Sequence, residues 1–360
     1  MKVVSLFSGA GGLDLGFEQA GFEVAWANEY DKSIWATYEA NFKNTILDRR
    51  SIRDVDSDEL LEIVGGDVDG MIGGPPCQSW SEAGSLRGIE DQRGQLFFEY
   101  IRLLKAVKPK FFLAENVSGL LFGRHSDAVD EILARFRKIG YWVDKRLVNA
   151  SEFGVPQDRD RVIIVGYHRD WFREAMHFRT PSLKRTTTLE DAIGDLRGVE
   201  PLAAAHNETN GDKCKPANHE YMLGGHSSIF MSRQRVRSWS EPSFTIQAGA
   251  RHAPLHPQAP KMVKRGPDHF EFAAGSEDKY RRLSVREAAR IQGFPDNHIF
   301  HYDRIADGYK MVGNAVPVLL ARIFADHLKS DLREALAGEP VTHKRSAFAE
   351  GKRKYAGSRA

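Results

Sequence analysis

Gly70-Met71-Ile72-Gly73-Gly74-Pro75-Pro76-Cys77-Gln78-Ser79-Trp80-Ser81 decides how the chain reads. Its apolar start reads as a buried strand. Two glycines and two prolines then force a loop, because each proline fixes φ and lacks an N–H. The loop presents one thiol. A thiol at the carboxyl end of a strand lies where open α/β sheets bind ligands. Among 360 residues there is one other cysteine, Cys214, so Cys77 is a poor candidate for a disulfide or a set of zinc ligands. Most free cysteines are small buried hydrophobes. On a polar, serine-rich loop Cys77 reads instead as a nucleophile.

Upstream, residues 2–7 read as a strand. Phe7-Ser8-Gly9-Ala10-Gly11-Gly12 follows, then a helix with Leu13, Phe17 and Ala20 on one face. Glycines between a first strand and a first helix let a ligand reach the backbone, and the helix N-terminus favours negative charge. A tight strand–helix turn asks for the same glycines. The next strand, 23–27, ends in Asn28-Glu29. An acidic side chain about 20 residues past the glycines can take ribose hydroxyls. Together these form the geometry of an adenosyl-cofactor site. A dinucleotide fingerprint needs a further glycine where Asp14 stands. Residues 31–42 read as a helix, with Ile34, Tyr38 and Phe42 aligned, and the third cofactor loop falls in 46–52.

Downstream, the Cys77 loop runs to about Gly94, charged and punctuated by glycines. It suits a mobile lid or a plain surface excursion. A helix with Leu96, Phe97, Tyr100, Ile101 and Leu104 leads to the strand Phe111-Phe112-Leu113-Ala114. Such a continuous apolar run suits a parallel strand covered on both faces. It ends at Glu115, on the same edge as Cys77. A lone glutamate there is usually only solvated; beside a thiolate it is a candidate acid. A helix and a strand at 141–148 precede Gln157-Asp158-Arg159-Asp160-Arg161. Arg159 and Arg161 point to one side. They suit a phosphate or base carbonyl, and equally an ion-pair cluster with the aspartates.

The repeat of strand and helix gives the fold class: α/β, with a doubly wound, mostly parallel sheet. The pattern changes near residue 170. Expected boundaries are 1–172 for a catalytic and cofactor-binding domain, 173–280 for a smaller loop-rich recognition domain, 281–336 for a return to the first, and 337–360 for a mobile basic tail. Within the second domain, Arg233, Arg235 and Arg237 alternate and so share one face of an extended segment. Arginine forks pair with guanine O6 and N7, each worth roughly 1–3 kcal/mol of discrimination. Charge runs are more often solvated faces. Near the end, Asn314 reads as an N-cap, with Pro317 in the first turn that follows.

Lys+Arg number 51 against 49 Asp+Glu, a net charge of +2, so bulk charge does not announce nucleic acid. Two cysteines, no apolar run long enough to span a bilayer and no signal peptide point to a soluble protein of a reducing compartment.

These motifs, in this order, resemble the DNA cytosine-5 methyltransferase family, over nearly the whole chain to about residue 330. Phe7–Gly12 and Asn28-Glu29 look like its cofactor motifs, and Pro75-Pro76-Cys77-Gln78 like the nucleophile motif. Glu115-Asn116-Val117 looks like the acid motif and Gln157-x-Arg159-x-Arg161 like the paired-arginine motif. Arg286-Glu287 and Gly313-Asn314-Ala315-Val316 look like the last two. Segments 78–82, 229–239 and 255–260 look closer still to members that modify the inner cytosine of GGCC.

The resemblance implies a Rossmann-like S-adenosylmethionine-dependent methyltransferase, without a metal. It would methylate C5 of a flipped-out cytosine in double-stranded DNA, leave S-adenosylhomocysteine and protect the site from a cognate restriction endonuclease. Cys77 would be the nucleophile and Glu115 the acid at N3. Arg161, with Arg159 behind it, would hold O2. Cofactor contacts would come from Phe7, Gly9, Ala10, Gly11, Gly12, Asn28, Glu29, Ile52, Pro75, Leu96, Asn314 and Ala315. DNA contacts would come from Gln78, Ser81, Ile229, Arg233, Arg235, Arg237 and Arg251. The enzyme would act as a monomer in a bacterial or archaeal cytoplasm. The family's third motif usually has Asp before the isoleucine that packs on adenine. Here the pair is Ser51-Ile52, with Asp48 or Asp54 as substitute acceptors. A related enzyme acting on RNA would share the catalytic motifs.

Overall fold

A computed structural model of the chain describes residues 1–76, 95–121, 126–174, 180–181 and 183–337. Cys77, Gln78, Ser81 and the tail from residue 338 lie outside the described residues.

The first half alternates as expected. It runs β1 (Lys2–Leu6), α1 (Gly12–Gln19), β2 (Glu23–Asn28), α2 (Lys32–Asn41), β3 (Ile46–Asp48), α3 (Ser57–Ile63), β4 (Gly70–Gly73), α4 (Gln95–Val107), β5 (Phe111–Val117), α5 (Ser126–Lys138), β6 (Tyr141–Asn149) and β7 (Asp160–His168). These strands form one sheet in the order β3-β2-β1-β4-β5-β7-β6. Pairing is parallel from β3 to β5, while β7 runs antiparallel to both β5 and β6. The reversal at β7 has a consequence for chemistry. Residues that begin β7 lie on the same edge as residues that end β5, so Arg161 stands opposite Val117. The strand order reverses between β1 and β4, and open sheets bind ligands in the crevice at such a point.

Period-two alternation sends successive strand residues to opposite faces. On β1, Val4 and Leu6 join Phe97, Tyr100 and Phe136 of α4 and α5 on one face. Val3 joins Phe17 of α1 and Phe324 and Leu328 of the last helix on the other.

Residues 183–314 are built differently. They contain α6 (Leu189–Ile193), a two-stranded parallel pair of β8 (Leu202–Ala204) and β9 (Glu220–Met222), and an antiparallel pair of β10 (Val263–Gly266) and β11 (His269–Glu271). Then come α7 (Val285–Ile291), α8 (Ile305–Asn314) and α9 (Val318–Leu336). One core cluster joins Leu189, Ala204, Ile246 and Ala250 to Ala288, Ile291, Tyr309 and Val312. Packing joins α7 and α8 to the stretch 189–253, and α9 returns to the sheet by packing on α1. Phe230, Val236, Leu255, Met262 and Tyr280 form a smaller cluster of their own within 230–280.

Two expectations are corrected. Asn314 ends α8 rather than capping α9, whose N-cap is Pro317. The reason lies in the terminal carbonyls of α8, which need partners from outside the helix and find them in buried Arg159 and Gln292. The stretch Ile305–Leu336 has the length and hydropathy of a membrane span, but 67% of its most apolar window is buried in the core.

Candidate active site

The β4–β5 ladder builds the sheet edge on which the expected acid lies. Gly73 pairs with Ala114, so Gly74 comes level with Glu115. A Cβ added at Gly74 would lie 3.5 Å from Glu115 Oε2. One residue on, Asn116 Nδ2 donates to the Pro75 carbonyl at 3.1 Å. The chain is thus pinned against Glu115 just before it enters Cys77. Glu115 itself is 8% exposed, and Arg161 Nε approaches its Oε1 to 2.7 Å across the β5–β7 pair. Arg161 Nη1 also donates to the Asp160 carbonyl at 2.7 Å.

Arg159 takes the other direction. It is buried, and its guanidinium donates to the carbonyls of Ile246 (2.8 Å), Gly313 (2.8 Å) and Ala315 (3.1 Å). Burial presses its pKa well below the ordinary arginine value, with the like charge of Arg161 adding to the effect. Arg159 therefore stands behind Arg161 and ties the start of β7 to Ile246 and the α8–α9 junction. The neighbouring aspartates are engaged elsewhere: Asp158 pairs with Arg237 at 2.8 Å, and Asp160 accepts from Asn149 at 2.9 Å. Two buried glutamines reinforce the tie: Gln157, part of the paired-arginine motif, and Gln292, which sequence reasoning missed. Gln157 Oε1 accepts from Ile246 N at 2.8 Å, and its Nε2 donates to Gln292 Oε1 at 2.8 Å. Two glutamines 135 positions apart give no local signal of their meeting.

The expected cofactor residues gather at the carboxyl ends of β1 and β2. Phe7, Gly9 and Gly11 take positive φ values of 56°, 56° and 81°, which turn the chain sharply into α1. A side chain at Gly11 would collide with the Phe42 ring, and one at Gly12 with the Val316 carbonyl. At Gly9, a Cβ would meet nothing within 4 Å, so this turn is open on one side. Gly9 N donates to Glu29 Oε2 at 2.9 Å and Asp31 N to Oε1 at 2.7 Å. Burial raises the Glu29 carboxyl pKa in spite of these bonds. Asn28 turns inward, its amide donating to the carbonyls of Asp48 (3.1 Å) and Arg50 (2.9 Å). It shapes the neighbouring loop. Ala10 packs its methyl into the core shared with α7 and α8. Ile52 is buried, with Phe7 and Leu96 packed on the same cluster. Pro75 and Ala315 are buried, and Asn314 is exposed.

Of the expected acceptors for adenine, Asp48 is held by Arg50 through both oxygens, and Asp54 is exposed. The Ser51 hydroxyl accepts from Arg53 N at 3.4 Å. Two further features were not singled out from sequence. Tyr30, directly after Glu29, is 72% exposed at the rim, and Ser8 Oγ is buried with no partner among the described residues. An orphaned hydroxyl, an open glycine, a carboxylate and an apolar wall together fit an adenosyl group.

A model of C-5 cytosine-specific DNA methylases matches residues 1–330. The chain belongs to that family. It is a DNA cytosine-5 methyltransferase, of a family that uses S-adenosylmethionine. The enzyme is 55% identical to the type II methyltransferase M.FnuDI of Fusobacterium nucleatum, across 93% of this chain and 96% of that one. It is 53% identical to M.NgoPII of Neisseria gonorrhoeae, across 92% and 96%. Identity to M.MthTI of Methanothermobacter thermautotrophicus is 52%, across 93% and 99%. The fold matches a crystal structure of a DNA modification methyltransferase encoded within an E. coli prophage, with TM-score 0.70 and 24% identity over 93% of this chain and 100% of that one.

In the segment 229–239 of the methyltransferase the three alternating arginines part company. Arg233 is exposed. Arg235 is 9% exposed, and donates to the carbonyls of Phe230 (2.8 Å) and Ile229 (3.1 Å) with its guanidinium over the Phe230 ring. Arg237 is part-buried, pairs with Asp158 and Glu241 and covers Phe244. The expected common face is corrected: a short 3-10 turn at Phe230–Ser232 precedes Arg233, and Val236 enters the core, so the segment is not a free strand. Ile229 is 67% exposed, and Arg251 is exposed on a groove.

Proposed function

We propose that the enzyme methylates C5 of the inner cytosine of GGCC in double-stranded DNA, and so protects that site from a cognate restriction endonuclease. The observation that carries the chemistry is the Glu115–Arg161 pair, at 2.7 Å, on the edge where Pro75 and Pro76 lead into Cys77. C5 of cytosine is a poor nucleophile. Addition of the Cys77 thiolate to C6 gives C5 enamine character. Glu115 donates a proton to N3 as that bond forms, so negative charge does not build on the ring. Arg161 holds the O2 side, and Arg159 fixes the strand that carries Arg161. The bound cofactor supplies an electrophilic methyl group on sulfur, held by the turn at Phe7–Gly12, the Glu29 carboxylate and the apolar wall of Phe7, Ile52 and Leu96. Loss of the C5 proton to a base, departure of the Cys77 thiolate from C6 and return of the N3 proton to Glu115 restore the ring and the enzyme.

C6 is out of reach inside a duplex, so the cytosine flips out, at a cost of about a few kcal/mol. Exposed Ile229 supports a wedge into the gap, and Arg233 and Arg251 support contacts to the guanines. The reading of GGCC rests on the resemblance of segments 229–239 and 255–260 to methyltransferases of that site. The enzyme acts as a monomer in the cytoplasm.

Expression in a host, followed by digestion of its DNA with a nuclease blocked by methylation within GGCC, tests this. Sequencing that reports 5-methylcytosine should place the mark at the inner cytosine. A mark in another sequence overturns the site and keeps the chemistry. Methylation of RNA but not DNA overturns the substrate.

A further inference from the structure

Arg281 and Arg282 are neighbours with opposite surroundings. Arg281 makes a bidentate pair with buried Glu287, both bonds at 2.8 Å. Arg282 is 4% exposed and has no carboxylate partner among the described residues. Its guanidinium instead donates to three carbonyls of one loop: Met222 at 3.2 Å, Gly224 at 3.1 Å and Gly225 at 3.0 Å. Burying an unneutralised cation is far more costly than burying an amide. A planar fork is nonetheless the side chain that can reach three carbonyls at fixed angles.

The loop it holds runs from the end of β9 to Ile229. At its far end Arg235 holds the carbonyls of Ile229 and Phe230. Between them, His226 is packed against Phe230 and Phe272, with ring centroids 4.7 and 5.1 Å away. Gly224 takes φ +129°, a conformation open to glycine and little else. The loop forms one wall of a groove of about 1040 Å³, whose other wall carries Arg251 and His252 and whose lining, among the described residues, contains no carboxylate. Such a groove suits a polyanion.

We propose that Arg282 is a positioning residue for sequence discrimination: it holds Met222–Gly225 in one conformation, so that Ile229, downstream in the same loop, meets DNA in a single register. The proposal rests on the reading that this region contacts DNA. Arg282 touches neither the reacting base nor the cofactor end, so its loss acts on DNA binding and on choice of site.

The test is steady-state methylation of short duplexes that carry GGCC or a site changed at one base, with S-adenosylmethionine affinity and thermal midpoint measured alongside. Arg282→Lys keeps the charge and loses the fork. KM for the GGCC duplex should rise about tenfold and preference over changed sites fall about tenfold, with kcat and cofactor affinity held within about twofold. Gly224→Ala strains the same loop where a Cβ meets nothing within 4 Å, and should reproduce the split without touching Arg282. If Arg282→Lys does not fold, Gly224→Ala decides. Wild-type KM and preference in the folded variants would overturn the assignment. A wild type that methylates DNA without preference would instead overturn the reading on which it rests.

Discussion

On the sheet edge, Glu115 and Arg161 are brought together by strand ladders to β4 and β7. In residues 183–314, strands are few and short, and buried arginines do the corresponding work. Arg235 takes two carbonyls, Arg282 three, and Arg286 those of Ala217, Pro295 and His298. Arg159 bridges the two regions by the same means. Buried carbonyls need donors; a sheet supplies them from backbone, and a loop-built region supplies them from side chains. Placement in the sheet is therefore set by register, and placement in residues 183–314 by a few cations whose loss frees whole loops.

The sharpest way to break this contrast is Arg159→Ala. It strands three buried carbonyls, and each such group costs about 1–3 kcal/mol, so a loss of about 3 kcal/mol or more is expected in urea denaturation. A loss under about 1 kcal/mol would mean that water replaces the guanidinium without penalty.

Charge dependence gives the next test. Burial opposes ionisation of Glu287, but the hydrogen bonds and charge of Arg281 prevail and hold its pKa at about 2, below its ordinary 4.5. A depressed carboxyl contributes stability above its unfolded pKa and loses it as pH falls through the folded one. The contribution, on the order of 3 kcal/mol, should be full above pH 4.5 and fade toward pH 2. Urea midpoints of the wild type should drop in that window, and Glu287→Gln should show a flatter profile. Equal slopes would remove Arg281–Glu287 from the list of charge-held junctions.

On the sheet side, Gly11→Ala drives a methyl into Phe42 at φ +81°. Overpacking and backbone strain should cost about 1–3 kcal/mol and weaken cofactor binding, read by calorimetry. The smallest effects separate scaffold from reader. Arg235→Ala should destabilise by about 2 kcal/mol, whereas exposed Arg233→Ala should stay within about 0.5 kcal/mol and lower DNA affinity at least tenfold. The reverse pattern would exchange their roles.

The sheet and its edge were legible because their signals are local. A strand ending in glycines, an Asn-Glu at the next strand end and an acid after a continuous apolar run each declare their place within about ten residues. The recognition region was legible only as a region. Alternation placed Arg233, Arg235 and Arg237 on one face, but a period of two holds only for free extended chain. The turn at Phe230 and the burial of Val236 break it. Whether an arginine reads DNA or holds carbonyls depends on burial, and burial here is set by partners far along the chain. Ile246 lies 87 residues from Arg159, and Gly313 lies 154 away. The Asn314 cap failed for the same reason, since its helix ends on donors from Arg159 and Gln292.

The covalent step can be trapped most directly with a GGCC duplex carrying 5-fluorocytosine at the inner position, since fluorine at C5 cannot leave as a proton. Incubated with S-adenosylmethionine, the enzyme should form a denaturation-resistant adduct. Its mass should equal protein plus DNA plus one methyl group, with the linked peptide containing Cys77. Trapping of no adduct by an enzyme that methylates ordinary GGCC, or a link at any other residue, would contradict the account.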